Sequence, residues 1–483
     1  MSTSHVQTLA VLSKTPPESV KPMFRQAIRV SLDRELRGNP TYELAFAYAG
    51  NLLARMFPLT HSDYVCETPL IELLKRPITT PLPEKFALEV VFGSRQQAVA
   101  EKLIYASCHD WSVFVGTKAI TPDSTETWNP ILALVTACYA AARSASALLA
   151  DHISSSETLK SFSILDFRQG TADFDWLEAV DAGNVHVAGI GAIGTAFLFA
   201  LAAHGGMMGS FCLIDEDSVE DRNLDSYSLF KNEDRGKKKA VRAKALLETL
   251  GRPRQFESVP HKLQDYVAQQ SLLNPAFKIE RLISAPDRRE TRRQFQSLLP
   301  RQVWDASTGP DDLVLHHNDF NSDLACMACV YNEVPDEDAH LRHVAGSLNL
   351  PIERVRAGQQ ITEGDAQRIR ERYPQLANAE LVGRAYDSVF KELCSSGQLR
   401  VEDELVLTPF PFVSALAGVL LYFDLLQSLR PDAFRNHQNY NYLRLNPFFQ
   451  PNPSYRMLRS AQTNCPVCKN PTIRRVFDRL WRS

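Results

Sequence analysis

The sequence lacks an apolar run long enough to span a bilayer. Its longest, Phe412 to Phe423, is about a dozen residues, against the roughly 20 that a spanning helix needs, and it reads as a buried core helix. It also lacks a basic segment followed by an apolar one at Met1-Ser2-Thr3-Ser4-His5, so no secretory signal is expected. Neither sign of charge is in excess: 53 Lys+Arg stand against 56 Asp+Glu, a formal net charge of -3. Neither nucleic acid nor an anionic membrane is therefore expected as a partner. Cysteine is scarce, nine in 483 residues, too few for a disulfide scaffold, and the reducing cytoplasm is the expected compartment. What remains is an ordinary globular composition, 44% hydrophobic and 23% charged, with room for two or three domains at roughly 100–200 residues each.

Residues 1–30 mix polar residues with prolines and read as a mobile lead-in. Residues 31–165 alternate helical and strand patterns. Ala87 to Gly93 and Trp111 to Gly116 are strand-like and Ile131 to Leu149 is alanine-rich at helical spacing. No glycine-rich phosphate loop occurs there. A second α/β unit spans 166–330, residues 331–404 turn charged and helical, and buried α/β character returns over 405–483, ending in a basic tail, Arg474 to Arg482. No internal repeat is evident, although the first unit could be a diverged copy of the second.

In the second unit the strand Val185-His186-Val187-Ala188 runs into Gly189-Ile190-Gly191-Ala192-Ile193-Gly194 and then an apolar helix. Glycines between a strand and a helix let the backbone approach a phosphate, and the helix start supplies free N–H groups. Asp215 follows at the end of the next strand, where a carboxylate can accept from a ribose hydroxyl. Alone, this pattern fits a nucleotide, a dinucleotide or a plain glycine-rich turn.

The stretch that follows is more specific. Asp215-Glu216-Asp217-Ser218-Val219-Glu220 leads to Asn223-Leu224, Phe230 and Asp234-Arg235-Gly236-Lys237-Lys238-Lys239-Ala240. This resembles the superfamily of ubiquitin-activating enzymes and the sulfur-carrier adenylyltransferases of thiamine and molybdopterin synthesis. The match is good over about 184–330, resumes at about 405–468 and is weak before 165. The resemblance implies a Rossmann-like adenylation domain preceded by a degenerate, inactive adenylation-like α/β half. Gly189, Gly191, Gly194, Asp215, Asp217, Asn223 and Lys237 would bind ATP. Lys239 would neutralise developing phosphate charge, and Asp287, after the strand Leu282-Ile283-Ser284, would position magnesium. The plainer reading of Asp287 is a strand-end turn cap. The family usually has arginine three residues after the asparagine, and here Ser226 stands there. Arg222, Arg235 or an arginine of the first half could supply the missing charge.

Cys326-x-x-Cys329 and Cys465-x-x-Cys468 together offer four thiolates, the number a tetrahedral structural zinc wants. The alternative is two unconnected redox or buried pairs. The superfamily often shows the same two-pair arrangement. Cys138 and Cys212 lie in apolar segments, and Cys66 and Cys108 lie in the first half. Cys394 closes a helix, about Leu381 to Leu393, inside the helical insertion, where the resembled enzymes keep a catalytic cysteine. The competing reading is an inert cysteine at a helix end, and Cys108 is the next candidate nucleophile.

The resemblance therefore implies ATP-dependent activation of a ubiquitin-like protein, thioester formation and transfer to a conjugating enzyme. ATP, Mg2+ and Zn2+ would take part, and the chain would be a monomeric pseudo-dimer or a homodimer. Its short form is similar to the activating enzymes of bacterial ubiquitination-like operons. The alternatives are a sulfur-carrier adenylyltransferase and, from another class, a dinucleotide-binding oxidoreductase or a non-catalytic nucleotide-binding scaffold.

Overall fold

The computed structural model describes residues 3–75, 77–78, 83–95, 100–119, 121–124, 127–148, 159–168, 179–252, 254–332, 337–356, 360–395 and 407–481. Two sheets lie on either side of a layer of helices. The first contains β1 (Ile28–Leu32), β2 (Thr60–Ser62), β3 (Phe86–Phe92), β4 (Ala100–His109), β5 (Ser112–Gly116) and β6 (Leu159–Ser163), in the order β2-β1-β3-β4-β5-β6. The second contains β7 (Val180–Ala188), β8 (Met207–Ile214), β9 (Gln255–Val259), β10 (Arg281–Ser284), β11 (Gln302–Thr308), β12 (Leu313–Asp319), β13 (Tyr442–Leu445) and β14 (Arg456–Met457). Its order is β14-β13-β12-β11-β10-β7-β8-β9.

The two sheets repeat one topology. In the first, β2, β1, β3 and β4 are parallel, and β4-β5-β6 continue antiparallel. In the second, β8, β7, β10 and β11 are parallel, and β11-β12-β13 continue antiparallel. The helices correspond too. After an N-terminal helix α1 (Thr3–Leu12), α2 (Pro40–Met56) follows β1 and α3 (Pro130–Leu148) precedes β6. Likewise α4 (Ala192–His204) follows β7, and a 19-residue helix, Pro411–Leu429, precedes β13. The first half is thus a topological copy of the second that, among the described residues, lacks strands equivalent to β9 and β14.

These four helices pack on one another between the sheets and share one continuous core. That placement explains their composition. A helix covered on all sides is apolar all round, and Pro130–Leu148 and Pro411–Leu429, although long and apolar enough to cross a membrane, are almost wholly buried inside the protein. Asn39 starts α2 by accepting from the amides of Thr41 (3.0 Å) and Tyr42 (3.2 Å), with Pro40 at the first helical position. In Pro411–Leu429, Gly418 lets the backbone of α4 come close, since a Cβ there would stand 2.3 Å from the Ile193 carbonyl oxygen.

Beyond this core, α5 (Lys239–Glu248) packs on β8 and β9, and α6 (Arg289–Ser297) follows β10. The insertion carries α7 (Glu337–Leu348), α8 (Glu363–Arg372) and α9 (Tyr386–Ser395), which close over their own small core of Val344, Leu348, Ile369, Val389, Phe390 and Leu393. The buried helix Pro411–Leu429 is α10, and α11 (Pro471–Trp481) ends the described chain.

One expectation needs correction. The described part of the expected mobile lead-in, residues 3–30, is packed: α1 buries His5, Thr8, Leu9 and Ala10, Thr8 donates to the Thr408 carbonyl (2.8 Å), and β1 already starts at Ile28. Their polar, proline-bearing sequence hides a short apolar stripe that docks against the entry to α10. The described part of the basic tail forms α11, which ends at Trp481. Phe477 is buried against Phe320 (ring centroids 4.5 Å apart), and Arg474 lies over the Phe320 ring. The Arg474 guanidinium also lies over the Phe477 ring and donates to the Phe320 carbonyl, which fixes α11 to the end of β12.

Candidate functional site

The turn from β7 into α4 is built for close backbone approach. Gly189 has φ +98°, and a Cβ there would stand 2.5 Å from the Ala285 carbonyl oxygen; one on Gly194 would stand 2.0 Å from the Gly189 oxygen. The turn is thereby pressed against the end of β10. Asp215, at the end of β8, accepts from the Ile190 amide (2.6 Å) and the Asp217 amide (2.9 Å). Burial pushes its carboxyl above the ordinary value, with Lys239 opposing and Asp217 adding to the shift.

The segments 215–220 and 234–239 run antiparallel. Val219 donates to Lys237 O (2.9 Å), Gly236 to Val219 O (2.9 Å) and Lys239 to Asp217 O (2.9 Å). This pairing sets Lys239 at the start of α5 beside Asp217. Its ammonium donates to the Asp217 carboxylate at 2.8 Å and sits 5.4 Å from the centroid of the Tyr227 ring, with only 4% of the residue exposed. Burial works to lower its pKa, but Tyr227, Asp215 and Asp217 outweigh that and leave it well above the ordinary lysine value. The ammonium is therefore a permanently charged group fixed among carboxylates.

The other expected residues are placed as follows. Asn223 is buried in the turn Asp221–Asn223 and accepts from the Glu220 amide at 2.8 Å. Lys237 is half exposed and pairs with Asp234 at 3.4 Å, so it is not brought to Lys239. Asp287 is exposed, two residues past the Ala285 carbonyl that meets Gly189, and so lies beside the glycine turn. Cys394 falls in the last turn of α9, and its side chain lies outside the described residues. Cys66, Cys108, Cys138 and Cys212 are all buried, which leaves Cys108 no access to a large substrate. Burial drives the Cys212 thiol up to about 12.

Three residues were missed at the sequence level. Tyr227 faces both Lys239 and the glycine turn: its hydroxyl would lie 3.7 Å from a Gly191 Cβ. Arg292, on α6, is buried and donates to the Pro286 and Ala306 carbonyls and to Asp305, so it braces the turn that carries Asp287. Arg55 comes from the first half. Its guanidinium crosses between the halves and donates to the carbonyls of Leu224, Ser228 (3.1 Å) and Phe230 (3.3 Å), while Tyr48 meets the Ser228 hydroxyl at 2.9 Å. Of the arginines considered as substitutes at the Ser226 position, Arg235 pairs with Asp221 (2.5 Å) and the Arg222 side chain lies outside the described residues. Arg55 does reach across from the first half, and it grips backbone. A cavity of about 450 Å³ borders this contact, lined in part by Arg55, Lys75, Phe230 and Lys231.

The two cysteine pairs meet. Sγ–Sγ distances are 3.8 Å for Cys326–Cys329, 3.7 Å for Cys326–Cys465 and 3.5 Å for Cys329–Cys468. Four sulfurs about 2.3 Å from a central zinc would lie about 3.8 Å apart, so the cage fits a tetrahedral ion with no position open to substrate. All four residues are buried, and the Gln462 amide points at Cys329 Sγ (3.4 Å), an outer contact of the kind that supports thiolates. Because binding such an ion is coupled to folding, Cys326→Ser is expected to lower both zinc content and melting temperature. Unchanged values in metal analysis and calorimetry would remove the ion from the fold.

The fold and site define an α/β protein with a glycine turn between strand and helix and a four-thiolate cluster. Residues 167–467 match the model of the ThiF family, and the chain belongs to that family. It is similar to the uncharacterised protein y4jF of Sinorhizobium fredii, 30% identical over 261 residues that cover 51% of this chain and 49% of that one. The chain thus spans about half the length of that curated relative. Among solved structures, E. coli MccB with MccA-N7isoAsn is 16% identical at a TM-score of 0.37, covering 59% of this chain and 67% of that one. E. coli MccB with ATP is 15% identical at 0.37, covering 61% and 69%. Selenomethionine PaaA is 23% identical at 0.24, covering 29% and 42%.

Proposed function

We propose that this chain uses ATP to adenylate the C-terminal carboxylate of a ubiquitin-like protein, then carries the acyl group as a thioester on Cys394 for transfer to a conjugating enzyme. The observation that carries the reading is Lys239, a buried and permanently charged ammonium held among Asp215, Asp217 and Tyr227 at the glycine turn. A carboxylate oxygen attacks the α-phosphorus, the bond to the β-phosphate oxygen breaks, and pyrophosphate leaves. Negative charge grows on the phosphoryl oxygens, where a preorganised cation is worth most. In this reading Asp215 would take the ribose, the amides of the glycine turn and Asn223 the phosphates, and Asp287 the magnesium that accompanies ATP. In the second step the Cys394 thiolate attacks the acyl carbon and AMP leaves.

Family membership supports the nucleotide chemistry, and the doubled topology supports a single chain acting as its own pseudo-dimer, with the first half bracing the second. Incubation of the protein with ATP, magnesium and a ubiquitin-like protein should exchange labelled pyrophosphate into ATP and yield a reducible thioester band. Cys394→Ala should keep the exchange and lose the band completely. A band that persists in Cys394→Ala moves the nucleophile elsewhere. Exchange without any band in the wild type points to a sulfur-carrier adenylyltransferase, and hydride transfer with NAD in place of exchange overturns the reading.

A further inference from the structure

The strand β12 carries two adjacent histidines that point to opposite faces, as alternation requires. His316 turns toward the first cysteine pair, with Nε2 2.8 Å from the Ala325 carbonyl oxygen. His317 turns toward α10, where its Nδ1 lies 2.7 Å from Asp424 Oδ2. Asp424 is buried, and its other oxygen, Oδ1, meets His437 Nε2 at 3.1 Å and the Tyr440 hydroxyl at 2.7 Å. The two imidazoles stack, with centroids 4.5 Å apart and planes 18° from parallel. One donor atom from each of His317, Asp424 and His437 can be chosen so that all lie within 4.8 Å of one another.

A helix in the middle of an apolar core has little reason to carry an aspartate, and two histidines converge on it from separate segments. They border a cavity of about 260 Å³, walled by His317, His437 and Tyr440 and by Gln302, Trp304 and Asn318 among others. Two wall residues make an independent point. Trp304 and Asn318 are each 3% exposed, yet Trp304 Nε1, a donor, and Asn318 Oδ1, an acceptor, have no partner among the described residues. Buried polar atoms of this kind normally have one, and a bound ion's water or a small anion would supply it.

We propose that His317, Asp424 and His437 form a second divalent-metal site, of the zinc class, separate from the four-thiolate cluster. Two imidazoles and a carboxylate suit zinc, at about 2.0–2.2 Å from each donor. Donors at that range in a tetrahedral site lie about 3.4 Å apart. The 2.7 Å and 3.1 Å contacts are made to the two different oxygens of Asp424, so an ion requires the carboxylate to turn and these contacts to open by up to about 0.7 Å, within a cluster whose donor atoms already lie within 4.8 Å of one another. Each ring proton shared with Asp424 moves to the opposite nitrogen, Nε2 of His317 and Nδ1 of His437, so no proton need be lost. Tyr440, which also approaches Gln427 Oε1 at 3.2 Å, then orients the carboxylate from outside. The cavity leaves room for water as a further ligand. Such an ion would tie β12 to the α10–β13 connection, beside the loop that leads into Cys326.

The test is metal stoichiometry on the full chain, with Zn2+ alone as probe and Co2+ as its spectroscopic substitute. Wild type should bind two ions after equilibrium dialysis. The double variant His317→Gln, His437→Gln should bind one, because its amides can still donate to Asp424 but cannot serve as imidazole ligands. The Co2+ thiolate bands should be the same in both proteins. The second equivalent of Zn2+ should raise the melting temperature of wild type only. A wild-type protein that binds one ion, or a double variant that still binds two, overturns the site and leaves the cluster a proton-sharing network.

Discussion

Lys239→Ala is expected to slow pyrophosphate exchange by about 100- to 1,000-fold, the usual loss when one preorganised electrostatic stabiliser is removed. The geometry makes this loss chemical rather than structural. The partner left behind, Asp217, has a side chain 45% exposed, so water takes over its solvation and the fold should survive. Asp287→Ala is expected to fail equally. Its carboxylate is exposed, so its removal should leave the melting temperature unchanged. The control is two residues away. Lys237 carries the same charge but is half exposed and engaged with Asp234, and Lys237→Ala should keep exchange within a few-fold of wild type. Exchange that survives in both Lys239→Ala and Asp287→Ala would remove the adenylation chemistry from this cleft. A loss in Lys237→Ala as deep as in Lys239→Ala would mean that bulk positive charge, not the placed ammonium, is what the reaction uses.

The contrast between those two lysines marks where the sequence stops being readable. A strand, a glycine turn and a helix follow from local rules, so β7, α4 and the positions of Gly189, Gly194 and Asp215 were legible residue by residue. So were β3, β5, α3 and α10, whose apolar runs have the right period. The four cysteines could be paired because thiolates have few other reasons to occur in C-x-x-C pairs. The resemblance singled out Lys239, but why it points inward rather than Lys237 or Lys238 was not legible, because that depends on the antiparallel pairing of 234–239 with 215–220, a register set by backbone bonds. The doubled topology was expected from the resemblance, which implied a degenerate first half, but no repeat could be read from the residues themselves. The two halves share strand order and helix positions, but the first has Asp33 to Asn39 where the second has its glycine turn, and sequence similarity fades long before topology does. Arg292 and Tyr227 were missed for a simpler reason: each acts through a tertiary contact that no short motif encodes. The helix α1 shows the opposite failure, in which a short polar-looking segment carries just enough apolar surface to dock.

Arg55→Ala should be the most destabilising of these substitutions and should also abolish exchange. The side chain is 3% exposed and is the main polar link from α2 to the 224–230 segment of the other half. Burial lowers its pKa to about 10, with Tyr48 and Asp225 acting the other way, so it stays charged at neutral pH. Its loss leaves three carbonyls without their donor and opens a void beside Phe230. A hydrogen bond to a charged group contributes about 1.5–3 kcal/mol, and a buried acceptor left without a partner costs about 1–3 kcal/mol, a large part of a typical domain's stability. The same segment begins just after Asn223 and contains Tyr227, the ring beneath the Lys239 ammonium, so loosening it displaces the cation from the glycine turn. Arg55→Lys separates the two effects. A lysine keeps the charge but cannot fork to three carbonyls, so much of the stability should return while exchange recovers only in part. Denaturant unfolding and pyrophosphate exchange on the same samples decide the matter. If Arg55→Ala unfolds at the wild-type midpoint and exchanges at the wild-type rate, the first half does not brace the second, and the doubled fold plays no part in holding the Lys239 ammonium at the glycine turn.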